Sequence, residues 1–271
     1  MIVTSPTIRA VVFDLDDTLA ASKSTMDPAM SDALSRLLDR VEVCIISGGR
    51  FEQFVAQALD GFTAGDGAMA RLHLMPTCGT RYYRWTDGEW ALQYAEDLTD
   101  DEVTRCMTML EEGARTLGLW HPGPWGDIIE NRGSQVTFSA LGQSAPVAEK
   151  VAWDPDGSKK RALWEYVSPR LPDLEVRGGG STSIDITRKG IDKAYGIDKL
   201  LAATGFAKDE LLFIGDRLDV TGNDYPVYEH GVLSLAIHDW HGTLAAVNSL
   251  IEWLDAPSGP FPLQTMEPLP A

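Results

Sequence analysis

Asp14 and Asp16 stand two residues apart directly after Ala10-Val11-Val12-Phe13, and Thr18 follows at the same spacing. The apolar run has the composition of a strand buried on both faces. Two carboxylates alternating on the loop that leaves such a strand can face one pocket. Two further apolar runs end in polar residues: Val41 to Ile46 stops at Ser47-Gly48-Gly49, and Leu211 to Ile214 stops at Gly215-Asp216. In open parallel sheets, ligands bind beyond the carboxyl ends of the strands, so these three loops would meet at one site. Asp14, Asp16 and Asp216 then form an all-oxygen set suited to a hard cation, and Mg²⁺ fits best.

The elements needed to hold those loops can be read along the chain. Asp27-Pro28 is a helix cap and first turn, and Phe51 to Leu59 reads as helical, giving a strand-loop-helix rhythm. The middle differs: a hairpin over Arg81 to Leu92 turning at Thr86-Asp87-Gly88, and an amphipathic helix over Thr99 to Leu117. A strand pair around Asn131-Arg132-Gly133 follows, then a helix over Lys159 to Tyr166 and strands at Leu174 to Val176 and Thr182 to Ile186. The rhythm returns with a helix over Lys193 to Thr204, a strand within Gly231 to Ala236 and a helix over Thr243 to Leu254. The expected fold is therefore α/β, a core of 1–86 and 187–271 with an α+β domain inserted over 87–186. A Pro-rich tail without periodicity begins at about Pro257 and reads as loose.

The 271 residues carry 40 acidic and 23 basic side chains, a net charge of −17. Such a surface excludes a sequence-independent grip on nucleic acid or on anionic lipid. A small phosphorylated molecule remains compatible, because local cations act within a screening length of about 8 Å. No run approaches the ~18 apolar residues of a membrane span, and the opening residues do not read as a signal peptide. Three scattered cysteines, none in a CxxC pair, fit a cytoplasmic protein. His238 and His241 lack an evident third ligand and read as loop residues.

Asp14-x-Asp16-x-Thr18, Ser47, Lys193 and Gly215-Asp216 occur in the order of the four motifs of the haloacid dehalogenase superfamily, which the chain resembles. The resemblance implies a Rossmann-like core, and the insert is like that superfamily's type C2 (IIB) cap. Within the group the chain is most similar to eukaryotic-type phosphomannomutases and their bacterial phosphatase relatives. The carriers are Ser47-Gly48-Gly49-Arg50, Glu130-Asn131-Arg132-Gly133, Gly179 to Asp185, Gly190-Ile191-Asp192-Lys193 and Gly222-Asn223-Asp224.

The resemblance implies Asp14 as nucleophile, Asp16 as acid and base, Ser47 as a hydrogen-bond donor to phosphate, and Lys193 as the neutralising cation. Lys189 competes with Lys193 for that place but does not open a helix. Mg²⁺ would rest on Asp14, the Asp16 backbone carbonyl and Asp216, with Asn223 and Asp224 left open as ligands or supports. Gly48, Arg132, Ser183 and Asp185 would bind substrate, and the cap would close over it. Lys23, Gln143 and Lys150 align where family mutases carry arginines, and neither Lys nor Gln reproduces the two-point grip of a guanidinium on phosphate. The expected function is thus a Mg²⁺-dependent phosphoric monoester hydrolase acting on a small sugar phosphate. A phosphohexomutase is the alternative, and a non-catalytic sugar-phosphate-binding protein the third reading.

Overall fold

The computed structural model describes residues 6–62, 64–256 and 260–266, and it divides into two compact units. Unit 1 comprises Met1–Ala95 and Asp192–Ala271, and unit 2 comprises Glu96–Ile191. In chain order, unit 1 begins with β1 (Ala10–Phe13), α1 (Pro28–Leu38), β2 (Glu42–Ile46), α2 (Phe51–Phe54) and a π-helical turn (Val55–Leu59). It continues with α3 (Asp66–Met69), β3 (Leu72–Met75), β4 (Arg81–Thr86) and β5 (Glu89–Ala95). Unit 2 contains α4 (Asp100–Thr116), β6 (Ile129–Asn131), β7 (Gln135–Ser139), α5 (Val147–Trp153), α6 (Ser158–Val167), β8 (Leu174–Gly178) and β9 (Ser183–Arg188). Unit 1 then resumes with α7 (Lys193–Thr204), β10 (Leu211–Gly215), α8 (Tyr225–Glu229), β11 (Leu233–Ala236) and α9 (Trp240–Asp255).

Alternation of side chains explains why the central strands are apolar throughout. Val11, Phe13, Val43, Ile45, Leu212 and Ile214 face one layer with α1 and α9. Ala10, Val12, Cys44, Ile46, Leu211 and Phe213 face the opposite layer with α7 and α8. A sheet covered on both faces needs apolar residues at every position. The strand order is β11-β10-β1-β2-β3-β4-β5, parallel from β11 to β3 and antiparallel beyond. The hairpin turns where expected, with Asp87 (φ 54°) and Gly88 (φ 84°) both left-handed. It belongs to the sheet of unit 1 rather than to the insert: β4 pairs with β3, and β5 extends the sheet to Ala95. The observed division accordingly lies at Ala95/Glu96 and Ile191/Asp192, later than the expected 86/87 and 186/187.

The expectation of a loose tail is corrected over 260–266. Phe261 meets Trp253 edge to face at 5.2 Å, and the Met266 N–H donates to the Ser234 carbonyl at 2.8 Å. Phe261 and Leu263 pack onto the α1/α9 layer, and Met266 onto the other. The rest of the tail lies outside the described residues. No helix among the described residues is long and apolar enough to cross a membrane.

Unit 2 packs α4 and α6 on one face of an antiparallel sheet ordered β6-β7-β9-β8. Helix α4 starts in a capping box: Thr99 Oγ1 accepts from the Glu102 N–H, and Glu102 accepts from the Thr99 N–H. Glu102 also accepts from Arg188 at 2.8 Å, and the Arg188 hydrogen bond is the main reason its carboxyl is held down to about 2. A carboxyl depressed by folding stabilises the protein above its unfolded pKa, and that stability fades as pH falls toward the folded value. Glu102→Gln should therefore cost about 1 kcal/mol at pH 7, a modest figure for a part-solvated pair. The difference from the parent in urea titrations should shrink steadily from pH 5 to pH 3. A constant difference across that range would remove the charge from the explanation.

Candidate active site

Strand β1 delivers Asp14 to a buried position, where its backbone N–H donates to the Ile214 carbonyl of the neighbouring β10 at 3.1 Å. Asp192 caps α7 by accepting from the Tyr195 N–H, which makes Lys193 the first helical residue. Its ammonium, on a side chain only 1% exposed, lies 2.6 Å from Asp14 Oδ1 and 2.5 Å from Asp224 Oδ1. Lys189, by contrast, is exposed in the turn after β9. Asp224 is fully buried, and its second oxygen accepts from the Arg217 N–H at 3.0 Å. Any Cβ at Gly215 would come within 2.4 Å of that oxygen, so glycine is required before Asp216 for Asp224 to fit. Asp216 accepts a 3.4 Å hydrogen bond from Thr18 Oγ1, which ties the first motif to the last.

Helix α7 is itself held close. The Gly196 Cα leaves room for the Cys78 carbonyl and the Ile46 side chain, which a Cβ would meet at 2.8 and 2.3 Å. Gly196→Ala must push the start of α7 outward and move Lys193. It should cost about 1–3 kcal/mol of stability and at least tenfold in turnover. Thermal unfolding of the variant and its rate on a phosphate monoester check the two effects separately.

Asp14, Asp216 and Asp224 bring one carboxylate oxygen each within 4.8 Å of one another. Three carboxylates share a single ammonium, so negative charge is in excess. Burial, opposed by Lys193 and reinforced by Asp224, pushes the Asp14 carboxyl well above the usual carboxylate range. Burial and Asp224 raise Asp216 as well. For Lys193, the two carboxylates outweigh the burial that opposes its charge, and its pKa rises. An all-oxygen donor set with surplus negative charge fits a hard divalent cation, whose charge would restore ionised carboxylates at neutral pH. Among the described residues, this is the one cluster of three or more metal-type side chains, and neither His238 nor His241 belongs to one.

The structure does not bring every expected residue to this cluster. Ser47 follows β2 in a buried turn, where its hydroxyl accepts from the Gly49 N–H at 3.2 Å, and Gly48 follows partly exposed. The Asp16 carboxylate lies outside the acidic trio and is bound instead by Gln53, Gln57 and the Lys23 backbone N–H. Lys23 takes a left-handed conformation (φ 58°) in an exposed loop. Asn223 is exposed. Asp224, left open by the sequence, is a full member of the site.

In unit 2, Glu130, Thr137, Asp185 and Arg177 stand opposite one another across β6, β7, β9 and β8. Asp185 accepts from Thr137 Oγ1 at 2.7 Å; burial raises its carboxyl, and the charge of Arg132 opposes that rise. Arg132 pairs with Glu130 at 2.7 Å and donates to Gln143 Oε1 at 3.3 Å. Lys150 donates to the Gln143 carbonyl at 2.9 Å. Ser183 and Asp185 crowd Gly179, where a Cβ would meet their oxygens at 2.9 and 2.7 Å. Arg132, Gln143 and Lys150 are thus linked by hydrogen bonds, Asp185 feels the charge of Arg132, and Ser183 sits beside Asp185.

The model of the eukaryotic phosphomannomutase family matches residues 30–252. The chain belongs to this family. Phosphomannomutase 1 of Mus musculus is 24% identical over 227 residues, covering 80% of this chain and 82% of its own. Among solved structures, a haloacid dehalogenase-like hydrolase from Bacteroides thetaiotaomicron matches with a TM-score of 0.62 at 18% identity, over 89% of this chain and 98% of that one. A truncated IMP-nucleotidase from Plasmodium falciparum matches with a TM-score of 0.65 at 17% identity, over 91% and 71%. The core thus shares its fold with a haloacid dehalogenase-like hydrolase. At such identities the solved structures speak for the fold alone.

Proposed function

We propose that the chain transfers the phosphoryl group of a hexose monophosphate through Asp14, in the manner that its phosphomannomutase relatives are named for. The observation that carries this reading is the Lys193 ammonium held between Asp14 and Asp224, with Asp216 beside them. Asp14 Oδ attacks phosphorus, and the bond from phosphorus to the sugar oxygen breaks with its electron pair on that oxygen. Asp16 donates a proton there, then accepts one from the next hydroxyl to attack the aspartyl-phosphate. Ser47 and the Gly48 backbone contact the phosphoryl oxygens. Lys193 keeps Asp14 aligned and offsets the charge gathered in the transition state. Mg²⁺, held by Asp14, Asp216 and the Asp16 carbonyl, would reduce repulsion between carboxylate and phosphate. Arg132, Ser183 and Asp185, with Lys23, Gln143 and Lys150, are proposed to recognise the sugar phosphate. The setting proposed is cytoplasmic, consistent with Cys44, Cys78 and Cys106 being present as thiols.

Hydrolysis is the second reading, and the observation that favours it is that Arg132 is already engaged by Glu130 and Gln143. The resemblance further implies Lys23, Gln143 and Lys150 at positions where mutases carry arginines. A mutase must hold either of two phosphates while the other reacts, which point charges and an uncharged amide do poorly.

Phosphorus NMR separates the two readings. Mannose 1-phosphate or glucose 1-phosphate would be incubated with the protein and Mg²⁺, with and without a trace of hexose bisphosphate. Conversion to the 6-phosphate with little free phosphate supports transfer. Growth of inorganic phosphate supports hydrolysis. A static spectrum across a panel of sugar phosphates would sink both.

A further inference from the structure

The Asp16 carboxylate sits in a closed hydrogen-bonded ring that the four motifs do not include. Gln53 Nε2 donates to Asp16 Oδ2 at 2.9 Å and to Gln57 Oε1 at 2.6 Å. Gln57 Nε2 closes the ring on Asp16 Oδ1 at 3.1 Å. The Lys23 backbone N–H adds a third donor, to Asp16 Oδ1 at 2.8 Å. Gln57 is only 2% exposed, an unusual burial for a glutamine. Its second amide hydrogen is taken up by the Ser24 carbonyl at 3.4 Å.

Local backbone departs from regular geometry on all sides of this ring. The helix after Ser47 begins as α2 and widens into the π-helical turn Val55–Leu59, closed by the Asp60 N–H to Val55 carbonyl bond at 2.8 Å. An extra residue in a helical turn re-aims the side chains it carries, and such turns gather at functional sites. Gly49 leaves the room that Gln53 occupies, since a Cβ there would lie 2.4 Å from Gln53 Oε1. Asp17 and Lys23 are both left-handed, at φ 59° and 58°, which folds the loop back so that the Lys23 N–H reaches Asp16. Non-glycine residues in that region carry a conformational cost that the surrounding contacts must offset.

We propose that Gln53 and Gln57 are positioning residues for the acid–base step, seating the Asp16 carboxylate. The inference rests on the reading of Asp16 given above and deepens it. The three donors seen on the two oxygens among the described residues are all N–H groups, so the seat matches an ionised carboxylate. That charge appears on Asp16 as its proton passes to the leaving oxygen. Donors already in place where charge develops need no rearrangement during the reaction. The ring should therefore matter when the leaving group must be protonated and not otherwise.

Two phosphoryl donors make that distinction. With mannose 1-phosphate, Asp14 forms the new bond to phosphorus and the sugar oxygen must take a proton. With acetyl phosphate, the same bond forms and acetate departs as the anion, taking none. Formation of the Asp14 phosphoryl-enzyme from each donor would be followed by rapid acid quench and intact mass, in the full-length protein with Mg²⁺. Gln57→Met and Gln53→Met keep side-chain volume and remove the ring. The expected result is at least a tenfold loss of rate with mannose 1-phosphate and less than about threefold with acetyl phosphate. Gln53→Met alone breaks the ring from a partly exposed position, so the experiment stands if the buried substitution disturbs folding. Adding Gln53→Met to Asp16→Asn should cost nothing further, since the group it positions is already gone. Equal losses with both donors, or no loss with either, would overturn the proposal. A parent protein phosphorylated by neither donor would remove the functional reading and this inference together, whereas a phosphorylated parent with insensitive variants would remove this inference alone.

Discussion

Asp14→Asn is expected to abolish phosphoryl transfer and, at the same time, to make the protein harder to unfold. The asparagine keeps the shape of the side chain and loses the nucleophilic oxygen. Removal of a covalent nucleophile lowers turnover by about 10⁴–10⁶-fold, because no neighbouring group can form the same bond. The stability effect runs the other way. Asp14 is one of three carboxylates gathered around a single ammonium, and burial already pushes its carboxyl upward. Taking away one carboxylate leaves Lys193 with Asp224 at 2.5 Å and Asp216 nearby, a smaller excess of negative charge. In protein stripped of divalent ions, the melting temperature should rise by about 3–6 °C, as for a gain of one to two kcal/mol in a chain of this size. Added Mg²⁺ should stabilise the parent more than the variant, since one donor of the site has gone. Calorimetry with chelator and then with Mg²⁺ reads both effects. An active variant would remove Asp14 from the reaction, and a variant that melts lower without metal would contradict the crowding of charge described for the site.

That opposition between function and stability also explains why the site was legible in sequence. Asp14, Ser47 and Asp216 sit at the ends of strands whose apolar composition is unmistakable, and the ends of buried strands leave little freedom for the next residues. Lys193 could be placed because Asp192 announces a helix start. Other features were not legible. Strand β3 carries His73 in a short apolar run before Pro76, and only the fold satisfies that histidine, with the Tyr82 hydroxyl at 2.8 Å and Glu42 on its other nitrogen. The hairpin was readable, but its allegiance was not: pairing of β4 with β3 is a long-range choice that local pattern does not encode. Asp224 was legible only as a candidate ligand or support, and its membership of the site depends on the room left at Gly215, which the sequence does not show. The glutamines on Asp16 were hidden for a similar reason. An α-helical reading of Phe51 to Leu59 does not contain the π-helical turn that aims Gln57.

Lys193→Met is expected to give the largest loss of stability of any single change in the core. The lysine is held by two carboxylates at 2.6 and 2.5 Å, in a position where all three side chains are almost wholly screened from water. Methionine fills much the same volume, so packing is not the issue. What remains is Asp14 and Asp224 facing each other without a counter-charge, with Asp216 close by. Breaking a buried ion pair by removing one partner costs about 3–5 kcal/mol, far more than the intact pair contributes, because an uncompensated charge is left in a poorly solvated place. Two manipulations should recover much of that loss if charge is its cause. Asp224→Asn in the same chain removes one of the stranded carboxylates and should restore at least about 1–2 kcal/mol, a coupling expected of residues in direct contact. Lowering the pH from 8 to 5 favours protonation of Asp14, whose carboxyl burial pushes up, and should narrow the gap to the parent, because a carboxyl raised by folding favours the folded state as it takes up its proton. Urea titrations of the single and double variants at both pH values decide the matter. If Lys193→Met proves as stable as the parent at pH 8, the ammonium does not neutralise this site; if Asp224→Asn brings nothing back, the loss comes from packing and not from charge.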